Sequence, residues 1–343
     1  MENDSLYLAL KNKLCESIYR GVYQDGENIP PERTLSENLG VSRVTVRKAL
    51  TLLEKDGIIE RVQGSGTLVK LKQTGYKGTL DIIALLAPAT NPFFAAFIDD
   101  FQKNADKNDS LVLFMQNPKH SNVEDSLFKL FQKNIRNVVV WLEDLQVDYE
   151  LIRRLRGLGM NIVFFDMSEP SPYADCVLLD NQDAIKMLCQ SLIQKGAVEL
   201  TYVGWDNLQL SSVRERERAF KTFSGGCAKV FHVPRKERDS IQRLMGEITE
   251  QIKAEKIWQN AFICGDGDLG VALKKAFLVQ GIRSDLIASV DDSEEAKLLT
   301  LSVYRQSFQE LSQKVYECLL KQNRKAKAWK AKVYAVKGEL IER

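Results

Sequence analysis

The chain has 343 residues, 44% of them hydrophobic and 27% charged, with 48 Lys and Arg against 46 Asp and Glu for a formal charge of +2. That length holds two or three domains with separate cores, and the ordinary composition excludes the disordered and fibrous classes. So small a net charge excludes a uniformly basic nucleic-acid binder, and any basic surface must be local.

No apolar run approaches the ~20 residues that span a bilayer. The N-terminus, "MENDSLYLALKNKL", carries acids before its apolar positions and lacks the basic start and apolar core of a secretory signal. We therefore expect a cytoplasmic protein with no membrane partner. Its six cysteines, Cys15, Cys176, Cys189, Cys227, Cys264 and Cys318, include no Cys-x-x-Cys pair, which suits reduced, mostly buried thiols. With only two histidines, His120 and His232, a structural zinc site is not expected.

In chain order, Leu6, Leu10, Leu14 and Ile18 recur at helical spacing and predict a first helix. "QDGENIPPER" breaks it with a glycine and two prolines. A short helix is predicted from Thr34 to Leu39, stopped by Gly40, and Ser42 is a natural N-cap for the next. In that helix Val46, Ala49, Leu50 and Leu53 form a core face. "KDG" ends it, and two short strands, Ile58–Val62 and Thr67–Val69, flank "QGSG".

Residues 61–80 contain Arg61, Lys70, Lys72 and Lys77 and no acid, and we place a linker at 71–79 between a first domain (1–70) and a second (80–343). From Leu80 onward apolar runs such as "DIIALLAP", "NVVVWL", "NIVFFD", "LTYVGW" and "AFICGD" alternate with amphipathic helical stretches. Such alternation predicts parallel sheets covered on both faces. The basic stretch "KQNRKAKAWKAK" reads as a solvated loop before one last strand, "KVYAVKGELIER".

Two helices joined by a tight turn and followed by a hairpin make a winged helix-turn-helix, whose second helix enters the major groove. Arg43 and Arg47 lie one turn apart on its outer face, where an arginine fork can bond guanine or grip phosphate. Ser42 and Thr45 offer hydroxyls to phosphates, and Gly64 and Gly66 let the wing backbone approach closely. The stretch "IPPERTLSENLGVSRVTVRKALTLLEKDGIIERVQGSGTLV" resembles the DNA-binding domain of GntR-type regulators, over about residues 6–69. By motif position that resemblance implies DNA contacts from Arg33, Ser42, Arg43, Thr45, Arg47, Gln63 and Gly64. Val44 fills a place that is often polar.

The second domain shows no Gly-x-x-x-x-Gly-Lys-Ser/Thr loop, no Gly-x-Gly-x-x-Gly after its first strand, no Gly-x-Ser-x-Gly elbow and no His-Glu-x-x-His. We read it as a binding domain without a cofactor, not an enzyme. Polar or aromatic residues end nearly every strand, which is where open α/β sheets bind ligands. "PATNPFF", "NIVFFDMSEP", "VLLDNQDA", "SSVRERERAFKTF", "FICGDGDLGVAL", "ASVDDS" and "LSVYRQSF" resemble, in order, the motifs of LacI/GalR effector domains across about residues 80–340.

A GntR-type head on such a body is similar to the arabinose-repressor-like hybrids. The resemblance implies an α+β winged helix joined to a two-lobed, periplasmic-binding-protein-like α/β domain with parallel sheets. It implies ligand contacts from Asn91, Phe93, Phe94, Trp141, Asp166, Arg216, Asp291, Gln306 and Phe308. The family's usual Asn-Asp is Gly265-Asp266 here, and the usual Gly-Phe before Asp291-Asp292 is missing. Asp180 and Asp266 are also natural helix caps, and His232 reads as an ordinary strand residue. The expected function is a homodimeric repressor on double-stranded operator DNA, released by a small effector, a carbohydrate, bound between two lobes. The alternatives are a solute-binding protein and a regulatory head fused to an enzyme-like body.

Overall fold

A computed structural model describes residues 2–71, 80–87, 92–116, 122–142, 147–225, 229–324 and 329–343, with backbone only for 2–5 and 92–94. The expected linker is almost wholly outside them. The head contains α1 (Glu2–Tyr19), β1 (Asn28–Ile29), α2 (Glu32–Leu39), α3 (Arg43–Lys55), β2 (Ile59–Val62) and β3 (Gly66–Val69). Leu10, Leu14 and Ile18 of α1 are buried together with Val46, Ala49, Leu50 and Leu53 of α3. Gly40 stops α2 in the left-handed region, φ 63°, and Ser42 Oγ caps α3 by accepting from Thr45 N at 3.1 Å. The wing is a three-stranded antiparallel sheet, order β1-β3-β2, and not a bare hairpin. The sequence break around "ENIPP" also supplies a strand, because Asn28 and Ile29 pair with Leu68 and Thr67.

The chain divides into two compact units. The first unites the head with β4 (Ile82–Leu86), α4 (Pro92–Asp106), β5 (Leu111–Met115), α5 (Val123–Gln132), β6 (Asn137–Trp141), α6 (Tyr149–Gly157) and most of β7 (Asn161–Phe165). The strands lie in the order β7-β6-β4-β5. β4 pairs in parallel with both of its neighbours. β6 and β7 are buried along their whole length, as continuous apolar strands require, whereas β5 at the edge exposes Leu111, Leu113 and Phe114.

Within this unit the head rests on the lobe. Tyr19 stacks on Phe128 of α5, with ring centroids 4.4 Å apart and planes 5° apart. Arg154 of α6 donates to the Tyr19 carbonyl at 3.2 Å. A Cβ on Gly21 would stand 2.4 Å from that guanidinium, and one on Gly157 would stand 2.9 Å from Leu71 Cβ. At Gly157 a side chain would collide with Leu71 close to its backbone, whereas at Gly21 the arginine tip could shift, although φ 78° there still favours glycine.

The second unit holds residues 165–169 and 176–314 and the C-terminal 333–343. Its elements are β8 (Asp175–Leu179), α7 (Asn181–Gln194), β9 (Leu200–Trp205), α8 (Ser211–Phe223), β10 (Lys229–Val233), a 3-10 turn, α9 (Ile241–Ala254), β11 (Ala261–Cys264), α10 (Gly267–Val279), β12 (Ile287–Val290), α11 (Glu294–Leu298), β13 (Ser302–Arg305), the start of α12 (Phe308–Arg324), β14 (Val333–Val336) and β15 (Glu339–Ile341). The main sheet runs β10-β9-β11-β12-β13-β15, parallel but for the last pair.

Two readings of the tail are corrected. "KVYAVKGELIER" is two strands, β14 parallel to β8 and β15 antiparallel to β13, with Lys337-Gly338 between them. Of "KQNRKAKAWKAK", residues 325–328 lie outside the described residues, and the rest is not simply a solvated loop. α12 continues to Arg324, Gln322 is buried and donates to Asp175 Oδ2 at 2.8 Å, and Trp329 Nε1 donates to the same oxygen at 2.8 Å. Arg156, fully buried, lies 4.0 Å over the Trp329 ring. Side-chain partners for the buried Asp175 and Arg156 therefore come from a stretch whose composition is mostly polar and basic.

Candidate effector site and DNA-facing surface

On the head, Arg43, Val44, Arg47 and Lys48 are exposed on α3. Val44 is 63% exposed, so an apolar side chain stands at the helix start between the arginines. Such a group suits contact with a thymine methyl. Arg47 is held by Glu32 of α2, its Nε and Nη2 both within 3.1 Å of Oε2. Arg33 is exposed and pairs with Glu37 at 2.9 Å. Ser42 is exposed, as are Gln63 and Gly64 at the wing tip, where Gly64 has φ 82°.

Thr45 departs from its expected place. It is only 6% exposed, and its hydroxyl lies 2.9 Å from Ser42 Oγ. The fold uses it to fix the cap, with its side chain turned inward. Arg61 was not among the expected contacts. It donates to Thr51 Oγ1 at 3.4 Å and lies beside Glu32 and Glu54.

In the second unit, Asp166 and Asp291 each stand one residue beyond a strand end. Their N–H groups still pair with the neighbouring strand, Asp166 to Val177 O and Asp291 to Tyr304 O, both at 2.9 Å. Both have positive φ, 59° and 76°. A non-glycine residue in that region is strained, and such strain persists where the surroundings over-determine it.

Burial raises both carboxyls, opposed in each case by the nearby Arg216. Asp166 is pushed up to about 6 and Asp291 to about 7. Gln306 Nε2 donates to Asp291 Oδ1. The loop after Asp166 is tied to α8, because Ser168 N donates to Ser211 Oγ at 2.9 Å and Arg214 pairs with Glu169 at 3.1 Å.

Arg216 projects from α8 and is 7% exposed. Its Nε donates to Asn181 Oδ1 at 2.7 Å and its Nη1 to Gly265 O at 2.6 Å. Nη2 has no hydrogen-bond partner among the described residues. The guanidinium is thus oriented by two neutral oxygens and keeps donors for a further acceptor. Asp266 caps α10 by accepting from Leu269 N at 2.9 Å, and its other oxygen accepts from Trp205 Nε1. Burial raises its carboxyl as well. Asp180 likewise caps α7, accepting from Asp183 N at 3.0 Å.

Four of the nine expected ligand residues, Asp166, Arg216, Asp291 and Gln306, therefore meet in one unit. Phe308, at the start of α12, is partly buried in the same unit. Trp141 ends β6 in the first unit and packs edge-on against Phe97, 5.5 Å between centroids. Asn91 lies outside the described residues, and Phe93 and Phe94 are described only as backbone in the first turn of α4. Sequence reading missed Asn181 and Trp205. The helix start "DNQDA" and the strand end "YVGW" mark where to look, since both sit at the carboxyl side of strands. His232 does more than fill its strand, because its Nε2 lies 2.8 Å from Glu217 Oε2.

Among the described residues no helix is long and apolar enough to cross a membrane.

Residues 6–69 match the family model described as bacterial regulatory proteins, gntR family. Among curated relatives, the probable fructoselysine utilization operon transcriptional repressor of Escherichia coli (strain K12) is 45% identical over 65 residues, covering 19% of this chain and 27% of that protein. The chain thus spans about a quarter of the length of such a relative. Among solved structures, the lac repressor dimer bound to operator and the anti-inducer ONPF superposes with a TM-score of 0.63 at 16% identity, covering 78% of this chain and 94% of that one. The Cra transcriptional dual regulator of Pseudomonas putida in complex with fructose 1-phosphate gives 0.61 at 18%, covering 77% and 99%. The chain therefore carries a GntR-type head and the two-lobed, parallel-sheet fold of lac-repressor-like proteins.

Proposed function

We propose that this chain is a cytoplasmic, ligand-responsive transcription repressor, in which a homodimer places two winged helices on operator DNA and a small polyol, a sugar, releases them. The observation that carries the reading is the convergence of Asp166, Asp291, Gln306 and Arg216 in a chain whose head is of the GntR type. Carboxylates at strand ends accept hydroxyl protons, and an oriented guanidinium donates to hydroxyl oxygens. Together they suit a molecule dense in alcohol groups.

The names of the relatives support the same class. One is a repressor of sugar utilisation, and one structural neighbour holds a sugar phosphate. The exposed apolar edge strand β5 supports assembly with a second copy, because an unpaired apolar edge is otherwise a liability. On the DNA side, Arg43, Arg47, Ser42, Arg33, Gln63 and Gly64 form the reading surface, with Thr45 acting through the cap. The domain limits 1–70, 71–79 and 80–343 fit this division of labour. A binding role, not catalysis, is our reading of the second domain.

The deciding experiment measures sugar binding and operator binding on wild type, Asp166→Ala and Arg216→Ala. Both variants are expected to lose the sugar response while retaining operator affinity. A variant that binds the sugar at wild-type strength by calorimetry removes that residue from the site.

A further inference from the structure

We propose that Tyr202 is a specificity-determining residue of the effector site, its phenol hydroxyl bonding one alcohol group of the polyol. This rests on the effector-site reading above and deepens it. Tyr202 lies in the middle of β9 and is 1% exposed. One face of its ring stacks on Phe220 of α8, with centroids 5.2 Å apart and planes 29° apart. Beneath the ring are two glycines. A Cβ on Gly204 would stand 2.5 Å from Tyr202 Cε1, and one on Gly265 would stand 2.7 Å from the hydroxyl oxygen.

Those two contacts fix the direction of the side chain. Gly204 is two residues further along β9 and so on the same sheet face. Gly265 follows the end of β11, the neighbouring parallel strand, whose Cys264 is in register with Val203. The ring therefore runs along the sheet toward the carboxyl ends of its strands, and its hydroxyl arrives at Gly265. Gly265 is also where Arg216 Nη1 is anchored. Arg216 and Asp266 act most strongly on the phenol after burial, followed by Glu217.

The hydroxyl itself has no hydrogen-bond partner among the described residues. It is not among the enclosed polar atoms that lack a partner, so it keeps a small accessible surface through which a ligand group can reach it. Packing does not call for the hydroxyl, because phenylalanine would fill the same space between Phe220 and the two glycines. The two glycines make room for the ring itself, which a Cβ at either place would strike. A polyol hydroxyl set beside Arg216 gives the phenol a partner, since a phenol can donate to it or accept from it. The group recognised is an alcohol, not a carboxylate or phosphate, because Asp266 acts electrostatically on the phenol, and Asp166 and Asp266 act on the neighbouring Asp291.

The test compares wild type, Tyr202→Phe and Arg216→Ala by calorimetry against D-xylose, L-arabinose, D-ribose, D-glucose, D-galactose and D-fructose, then against the monodeoxy forms of the tightest binder. Tyr202→Phe is expected to bind that sugar roughly 10- to 100-fold more weakly. Its melting temperature without sugar should be equal or higher. One monodeoxy form should bind wild type and Tyr202→Phe equally, which identifies the hydroxyl contacted. If Tyr202→Phe binds as wild type while Arg216→Ala loses the sugar, Tyr202 is only packing and the inference falls with the site intact. If wild type binds none of the six sugars, the site reading falls and the inference with it. Should Tyr202→Phe fail to fold, Gly265→Ala sets a methyl against the hydroxyl. It is expected to show the same loss, and unchanged affinity there would overturn the proposal.

Discussion

At the scale of single residues, charge and strain are concentrated in two places, and each gives a prediction. Arg47 is held by Glu32 in the free protein, so its fork is already oriented on the exposed face of α3. Arg47→Ala is expected to cost about 1–3 kcal/mol of operator binding if the fork reads a base. Titrations at fixed salt against operator and scrambled DNA decide this, and equal losses on both would assign Arg47 to phosphate. Asp291 concerns stability. Its carboxyl is pushed up to about 7 in the folded chain, by burial first. The unfolded chain loses that proton near pH 3.9. Between those values the unfolded state ionises first, so stability falls as pH rises from about 4 to 7 and the full penalty stands above that. Asp291→Asn should therefore raise stability at pH 8, on the order of 1–3 kcal/mol, and change little at pH 4. Denaturant melts at the two pH values measure it, and parallel curves for the two proteins would mean that Asp291 titrates as an ordinary carboxyl.

At the scale of elements, short capping residues set where helices begin. Asp148 Oδ1 caps α6, accepting from Glu150 N at 2.9 Å and Leu151 N at 3.1 Å. Asp148→Ala should lower stability by about 0.5–2 kcal/mol, seen as an earlier urea midpoint with unchanged slope. An unmoved midpoint would mean that α6 is positioned by its packing alone. The same local chemistry explains what could be read before the fold was known. Ser42, Gly40, Asp180 and Asp266 announced their helix ends, because caps are written in two or three adjacent residues. Continuous apolar runs likewise announced buried parallel strands.

What escaped was long-range. β1 needs Leu68 to become a strand. Gln322 and Trp329 need Asp175, 147 and 154 residues away, to leave solvent. Thr45 looked like a DNA ligand because its inward turn depends on a hydroxyl contact with Ser42. Asp166 and Asp291 were identified as strand-end acids, but not their left-handed backbone, which no side-chain pattern encodes. Tyr202 stayed hidden because the glycines that betray it are far apart in sequence, one in β9 and one just past the end of β11.

At the scale of the whole molecule, the proposed function requires effector and operator to be linked through a conformational equilibrium, since a ligand shifts only what it binds differentially. We expect the effector to weaken operator binding by 5–150-fold, a coupling of about 1–3 kcal/mol. Two heads must meet half-sites roughly 34–36 Å apart or a multiple of that, so a small change of spacing loses affinity. Operator titrations with and without saturating sugar test the sign, and a tighter complex with sugar would make this a co-repressor-dependent protein. The seat of the head on the first lobe has a consequence for how such proteins can be recombined. Tyr19 against Phe128, Arg154 against Gly21, and Leu71 against Gly157 form a fitted joint. A head moved onto another body would carry its DNA preference with it, but not its posture. The recipient would need an aromatic ring at the place of Phe128, a guanidinium at that of Arg154 and a bare backbone at that of Gly157. If the proposed function holds, a graft lacking them should read the operator and ignore the sugar.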